Sequence, residues 1–261
     1  MAVHVERRST AHGVVTVVTL DRPEVRNAVD AEHAAALTDA FLAFDADDDA
    51  GVAVLHGAGG TSCAGADLKA AAAGELRVGP PDEPGPAGLG PTRLLLSKPV
   101  VAAVEGHAVA GGLELALWCD LRVADPGAVL GVFCRRWGVP LIDGGTVRLP
   151  RLIGQSHALD LVLTGRPVDA VEAHRIGLVN RISAPGGCLD DALALASSLL
   201  AFPQTCLRED RLSLVRSAGL PLDEALRAEW EHGVRSLEAG AFDGAARFAA
   251  GRGRHGDFGD L

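Results

Sequence analysis

Tyrosine is absent from this 261-residue chain, and aromatic residues of all kinds amount to only 4%. Base-stacking platforms for nucleic acid are therefore not expected. Cations are in the minority as well: 24 Lys and Arg against 34 Asp and Glu leave a net charge of −10. That balance opposes general binding to phosphate backbones, so a phosphate-bearing ligand would need a local cluster of Arg or Lys. The five cysteines, Cys63, Cys119, Cys134, Cys188 and Cys206, show no CxxC or Cys/His spacing. An odd count of this kind suits reduced thiols and gives a metal site no support. No apolar run reaches the length of a membrane span, and Met1 to Thr10 is charged rather than apolar. A soluble, cytoplasmic protein is the expectation.

What is present is small and aliphatic. Hydrophobic residues make up 48% of the chain, enough for a substantial core. Gly13–Leu20, rich in β-branched residues and stopped by Asp21-Arg22-Pro23, reads as the strand that opens the fold. A helix follows from Asp30, a plausible N-cap, and a short buried strand spans Val52–Leu55. Further strands are expected at Val100–Val104, Leu121–Ala124 and near Val129–Phe133, with a helix at Gly112–Trp118 between the first two. This is α/β organisation with repeated crossovers. Between Gly74 and Pro91 lie five prolines and five glycines, which predicts a mobile surface loop. Beyond Gln155 the pattern turns helical: Gln155–Leu163, Asp169–Arg175, Leu189–Ala201, Gln204 towards Ser217, and Asp223–Leu237. A soft boundary near residue 200 would divide a core, 1–200, from a helical region, 201–261.

Two segments carry the chemical signal. Ser62-Cys-Ala-Gly-Ala-Asp-Leu68 is a small-residue loop after a strand, whose amides can approach a ligand closely. Such loops are common and the segment alone proves little. Gly111-Gly112 stands where a helix begins after a strand, and helix N-termini present free N–H donors. Amides from the two segments, converging, would stabilise a thioester enolate.

Leu20-Asp-Arg-Pro-Glu-Val-Arg-Asn-Ala28, Cys63-Ala-Gly-Ala-Asp-Leu68, Ala110-Gly-Gly-Leu-Glu114 with Cys119-Asp120, and Gly144-Gly-Thr-Val-Arg-Leu149 together resemble the motifs of the crotonase superfamily, the enoyl-CoA hydratases and isomerases. Order and spacing match from about Val14 to Asn180, and more loosely to Gly251-Arg252. The resemblance implies a spiral of ββα units with a helical C-terminal region used for trimerisation, as a homotrimer or a dimer of trimers. It implies an acyl-CoA thioester as substrate, coenzyme A arriving as part of it, with no further cofactor, no metal, no nucleic acid and no membrane. By the same resemblance the amides of Ala66 and Gly111 form an oxyanion hole. Arg26, Ala28, Ala64, Asp67 and Leu68 line the CoA side, and Arg252 contributes to the phosphates of that CoA or of a neighbouring subunit's.

Glu114 falls where the family's hydratases carry the first of two catalytic carboxylates; its bland alternative is an acidic residue complementing a helix dipole. At the position of the second carboxylate stands Cys134. A thiol with a usual pKa of about 8.5 is a poor replacement, which weakens the hydratase and isomerase readings and opens that of an acyl-CoA-binding homologue without efficient hydration. Asp143, nine residues later, is a candidate for the missing acid/base group, or else caps a turn ahead of Gly144-Gly145-Thr146. Arg135 and Arg136 read as a solvated pair, with binding of a polar acyl tail or a hold on Asp143 as alternatives. His107 reads as a strand-end residue, and Phe133 and Trp137 as core or pocket wall. A hydrolase would need a nucleophile beside the hole, and Ser62 lies at the wrong end of its loop.

Overall fold

In a computed structural model of the chain, residues 3–76, 79–253 and 255 are described. The element missing from the sequence reading comes first: β1 (Val3–Thr10) pairs antiparallel with β2 (Gly13–Leu20). Its side chains are mostly exposed, as befits an edge strand, so it lacks the apolar alternation that marks a strand in sequence. Then come α1 (Ala31–Ala46), capped by Asp30 through the His33 amide, and β3 (Ala50–Gly57). A short α2 (Leu68–Ala72) precedes β4 (Val100–Val104), β5 (His107–Val109), α3 (Gly111–Trp118), β6 (Leu121–Ala124) and β7 (Val129–Gly131).

Among the described residues one sheet has the order β1-β2-β3-β4-β6-β9, parallel after its first pair, with β9 (Arg181–Ile182) at the far edge. A second, smaller sheet joins β5, β7 and β8 (Val168–Asp169). From β4 to β7 the strands alternate between the two sheets as the chain winds, in keeping with the expected α/β spiral. The main core lies between the sheets and under α1 and α3, built from residues such as Val18, Phe41, Leu55, Leu113 and Leu130. On the other face of the large sheet, α6 (Cys188–Leu200) packs Ala192, Leu195 and Ala196 against Val17, Val54 and Val101. Both faces are covered, which is why the central strands read as continuous apolar runs.

Two further differences from the sequence reading concern loops. The helix expected from Gln155 begins ten residues earlier, as α4 (Gly145–Thr164), interrupted at Gly154 with φ of 76°. Its first half contains Pro150 and follows a Gly pair, so no helical start is visible there. Nor does the whole Pro/Gly stretch run over the surface: Ala87, Leu89 and Pro91 at its end are buried.

The C-terminal helices α7 (Gln204–Arg216), α8 (Leu222–Ser236) and α9 (Phe242–Ala249) follow, after α5 (Ala170–Arg175) and α6. Across the boundary placed near 200, Arg211 of α7 donates to Asp120 at 2.7 Å and to the Leu96 carbonyl at 2.7 Å.

Arg122 ties α3 to the end of the spiral. Fully buried, it donates through Nε to Leu178 O at 2.8 Å and through Nη1 to Cys119 O at 2.7 Å and Ala116 O at 3.2 Å. The Ala116 and Cys119 carbonyls lie at the end of α3, where the helix itself supplies no further donors. Arg122→Met should therefore lower unfolding stability by about 3 kcal/mol or more in urea titrations; an unchanged midpoint would show that the carbonyls find other donors.

Candidate active site

The loop after β3 is sewn to the rest of the chain along both sides. On one side Val29 N donates to Gly65 O at 2.8 Å, Asp67 N to Val29 O at 2.8 Å and Ala64 N to Arg26 O at 3.0 Å. On the other, Cys63 N donates to His107 O at 2.9 Å and Val109 N to Cys63 O at 3.1 Å. Asn27 supports the arrangement from below, its side chain donating to Ala58 O at 2.9 Å and Thr61 O at 2.6 Å while accepting from Arg22 N at 2.7 Å. The Ala66 amide is left over in this pattern.

The start of α3 lies against the same loop. A Cβ on Gly112 would sit 2.0 Å from Cys63 O, and one on Gly65 would sit 2.8 Å from Gly111 N, so only glycine allows the approach at these points. Ala110 turns the chain into the helix with φ of 54° and ψ of −125°, a region costly for a residue with a Cβ. Among the described residues neither the Ala66 nor the Gly111 amide has a backbone acceptor. Both residues line one cavity of about 650 Å³.

Glu114 reaches that cavity from the first turn of α3, buried, with Oε1 accepting from Asp143 N at 2.9 Å and Gly145 N at 2.8 Å. Burial, reinforced by the charge of Asp143, pushes its pKa up to about 7 against the opposing pull of those amides and of Arg148. Asp143 is buried on the same wall, and its Oδ1 accepts from Leu89 N at 3.0 Å and Thr92 Oγ1 at 2.5 Å. Asp143 is thus a ligand of the loop 87–92 rather than the cap of α4, whose N-cap is Gly144 without a side-chain bond. Cys134 also lines the cavity. Burial and then the Glu114 charge raise its thiol, so it remains protonated near neutrality.

The other residues singled out from sequence divide. Arg26, Ala64 and Leu68 are on the cavity wall. Ala28 is buried, Asp67 caps α2 through the amides of Lys69 and Ala70, and Arg252 is exposed beyond α9; none of these three is part of the wall. Arg135 donates to Val162 O at 3.0 Å, a structural bond, whereas Arg136 lies 4.8 Å over the Phe133 ring and lines the cavity with Phe133, Trp137 and His107. The hold on Asp143 belongs instead to Leu89, Thr92 and Arg148, which sequence reasoning left without roles. Arg148 stands inside a motif already recognised, but nothing in the sequence shows that the loop 87–92 folds back onto it.

The position of Glu114 makes a sign-determined prediction. Its carboxyl titrates near 7 when folded against an ordinary value of 4.5, so between those pH values the folded state binds more protons than the unfolded. Stability conferred on the wild type therefore falls as pH rises through this window. Glu114→Gln, which cannot ionise, should gain about 3 kcal/mol relative to wild type between pH 4 and pH 8 in urea unfolding. A difference independent of pH would mean that the carboxyl titrates normally.

Comparison with known proteins places the chain in a family. The enoyl-CoA hydratase/isomerase family model matches residues 10–237. Enoyl-CoA hydratase EchA19 of Mycobacterium tuberculosis is 36% identical over 95% of this chain and 93% of its own length. A carnitinyl-CoA dehydratase of Salmonella arizonae is 42% identical over 74% of each chain. The crystal structure of enoyl-CoA hydratase EchA1 from Mycobacterium marinum superimposes with a TM-score of 0.87 at 38% identity, covering 95% of this chain and 96% of that one. With a family model spanning most of its length and relatives of this similarity, the chain belongs to the enoyl-CoA hydratase/isomerase family of the crotonase superfamily.

Proposed function

We propose that this enzyme acts on an acyl-CoA thioester, hydrating a 2-enoyl-CoA or shifting its double bond through an oxyanion-stabilised enolate. The observation that carries the reading is the convergence, in one cavity, of two amides without backbone acceptors and two buried carboxylates. The thioester oxygen accepts from Ala66 N and Gly111 N, donors of a kind worth roughly 3 to 4 kcal/mol each as charge develops on that oxygen. Glu114, with a pKa of about 7, is suited both to take a proton from water or the α-carbon and to return one. Asp143 supplies the second carboxylate that Cys134 cannot. The negative charge of the enolate is met by main-chain dipoles, so the scheme calls for no metal or redox group; coenzyme A enters with the substrate, its near end against Arg26, Ala64 and Leu68.

That relatives are named as a hydratase and a dehydratase of CoA thioesters favours hydration over isomerisation. A second reading is favoured by Cys134: a homologue that binds acyl-CoA yet hydrates it poorly. Assembly as a homotrimer or a dimer of trimers is supported by the apolar residues that α8 and α9 expose, Leu222, Trp230 and Phe242 among them. The cytoplasm is the proposed location: no described helix is long and apolar enough to cross a membrane, and all five thiols are free.

Crotonyl-CoA hydration by the wild type, Glu114→Gln and Asp143→Asn decides between the readings. Each substitution should lower kcat/KM by about 100-fold or more. With ionised Glu114 as the base towards water, wild-type kcat/KM should fall as pH drops below about 7. Full turnover by Glu114→Gln sinks the assignment, whereas thioester binding without turnover by the wild type selects the second reading.

A further inference from the structure

The first half of α4 presents Arg148 to the underside of the carboxylate pair. Its Nη1 donates to the Asp143 carbonyl at 2.9 Å and its Nη2 to the Thr92 carbonyl at 2.6 Å. Thr92 in turn donates its hydroxyl to Asp143 Oδ1, and the Asp143 amide donates to Glu114 Oε1. A closed ring therefore runs from Arg148 through Thr92 and Asp143 back to Arg148, with Glu114 attached at the Asp143 amide. Its geometry depends on a planar fork. The two guanidinium nitrogens span two carbonyls from segments more than fifty residues apart in sequence, which a single ammonium cannot do. The fit is tight: a Cβ on Gly144 would lie 2.0 Å from Nη1, and Gly144 itself takes φ of 97°.

We infer that Arg148 is a positioning residue for the reaction, clamping the Asp143–Gly144 turn to the loop 87–92 so that both carboxylates face the bound thioester in one fixed relation. This inference rests on the proposed acid/base roles of Glu114 and Asp143. Arg148 is not itself part of the cavity wall; it acts through the carbonyls of Thr92 and Asp143. It also supplies the positive charge near the pair. The charges that act most on Glu114 are Asp143 from the loop before α4, which raises its pKa, and Arg148 from α4, which lowers it; Cys134, His107, Arg26 and Arg136 line the same cavity. Loss of Arg148 should both loosen the carboxylates and raise the pH at which Glu114 ionises.

The test measures crotonyl-CoA hydration across pH for wild type, Arg148→Lys, Arg148→Ala and Thr92→Val, with Thr92→Ser retaining the hydroxyl. Arg151→Gln, an exposed change one turn further along the same helix, is the control. Expected are a fall in kcat of about 10- to 100-fold for Arg148→Ala with little change in KM and an acid limb moved to higher pH, and a smaller fall for Arg148→Lys with the acid limb nearly unmoved, since lysine keeps the charge but not the fork. Millimolar guanidinium should restore part of the Arg148→Ala activity, a response that general loss of folding would not show. Thr92→Val should lose activity and Thr92→Ser should keep it. The inference is overturned if Arg148→Ala, folded by thermal melting, retains wild-type kcat and acid limb, or if Arg148→Lys is as active as wild type. Should Arg148→Ala and Arg148→Lys both fail to fold, Arg148→Gln takes their place: wild-type kcat and acid limb in this variant overturn the inference, and a fall in kcat with the acid limb at higher pH supports it. Failure of the underlying reading shows differently: the wild type itself would be inactive, or unaffected by Glu114→Gln.

Discussion

The site depends on the close approach of two stretches of main chain, the loop at Cys63–Ala66 and the entry to α3 at Ala110–Gly112. Backbones rarely come so near, because side chains intervene; here Gly65 and Gly112 remove the Cβ atoms that would collide with Gly111 N and Cys63 O. The hydrogen bonds from Cys63 to His107 and from Val109 to Cys63 then set the register of one stretch on the other. Once that register is set, the Ala66 and Gly111 amides can serve the same oxygen, and Glu114 follows from the helix that starts there. The binding of a carbonyl is thus a property of the chain path, while acid/base chemistry is a property of side chains set around it.

That division explains how Cys134 can stand where the family resemblance implies a carboxylate. The thiol changes only the proton chemistry on one wall. The loop before α4 brings Asp143 to the same cavity, its main-chain N–H donating to Glu114 and its side chain placing a second carboxylate nearby. Two carboxyls joined in this way cannot move independently. Their mutual repulsion, added to burial, is part of what places Glu114 close to neutrality.

Local signals made most of the fold legible. Buried parallel strands such as β3 and β4 are uninterrupted apolar runs, and Asp30 marks the start of α1 by its capping side chain. β1 escaped because an edge strand facing water has no need of apolar alternation. The start of α4 was hidden by Gly145 and Pro150. Within the site, Glu114 and the two amides could be located from motifs. Leu89, Thr92 and Arg148 could not, since their roles arise from a long-range meeting of the loop 87–92 with α4, and no short pattern encodes it. The same holds for Asp67, whose side chain serves α2 and lies 3.5 Å from Arg22. A polar residue in a motif has both a ligand and a cap to satisfy, and sequence does not reveal which.

At Ala110, as at Arg26 and Asn27 with φ of 55° and 54°, the site is held against the backbone's own preference. With φ of 54° and ψ of −125° Ala110 sits where glycine would rest easily and alanine does not. The peptide unit it governs is the one that carries the Gly111 N–H. An amide aimed by tension has a narrow range of directions, like a spring held at its stop, whereas a relaxed glycine at the same point would let the donor swing. The methyl group that makes this position uncomfortable also narrows the directions in which the Gly111 N–H can point into the cavity.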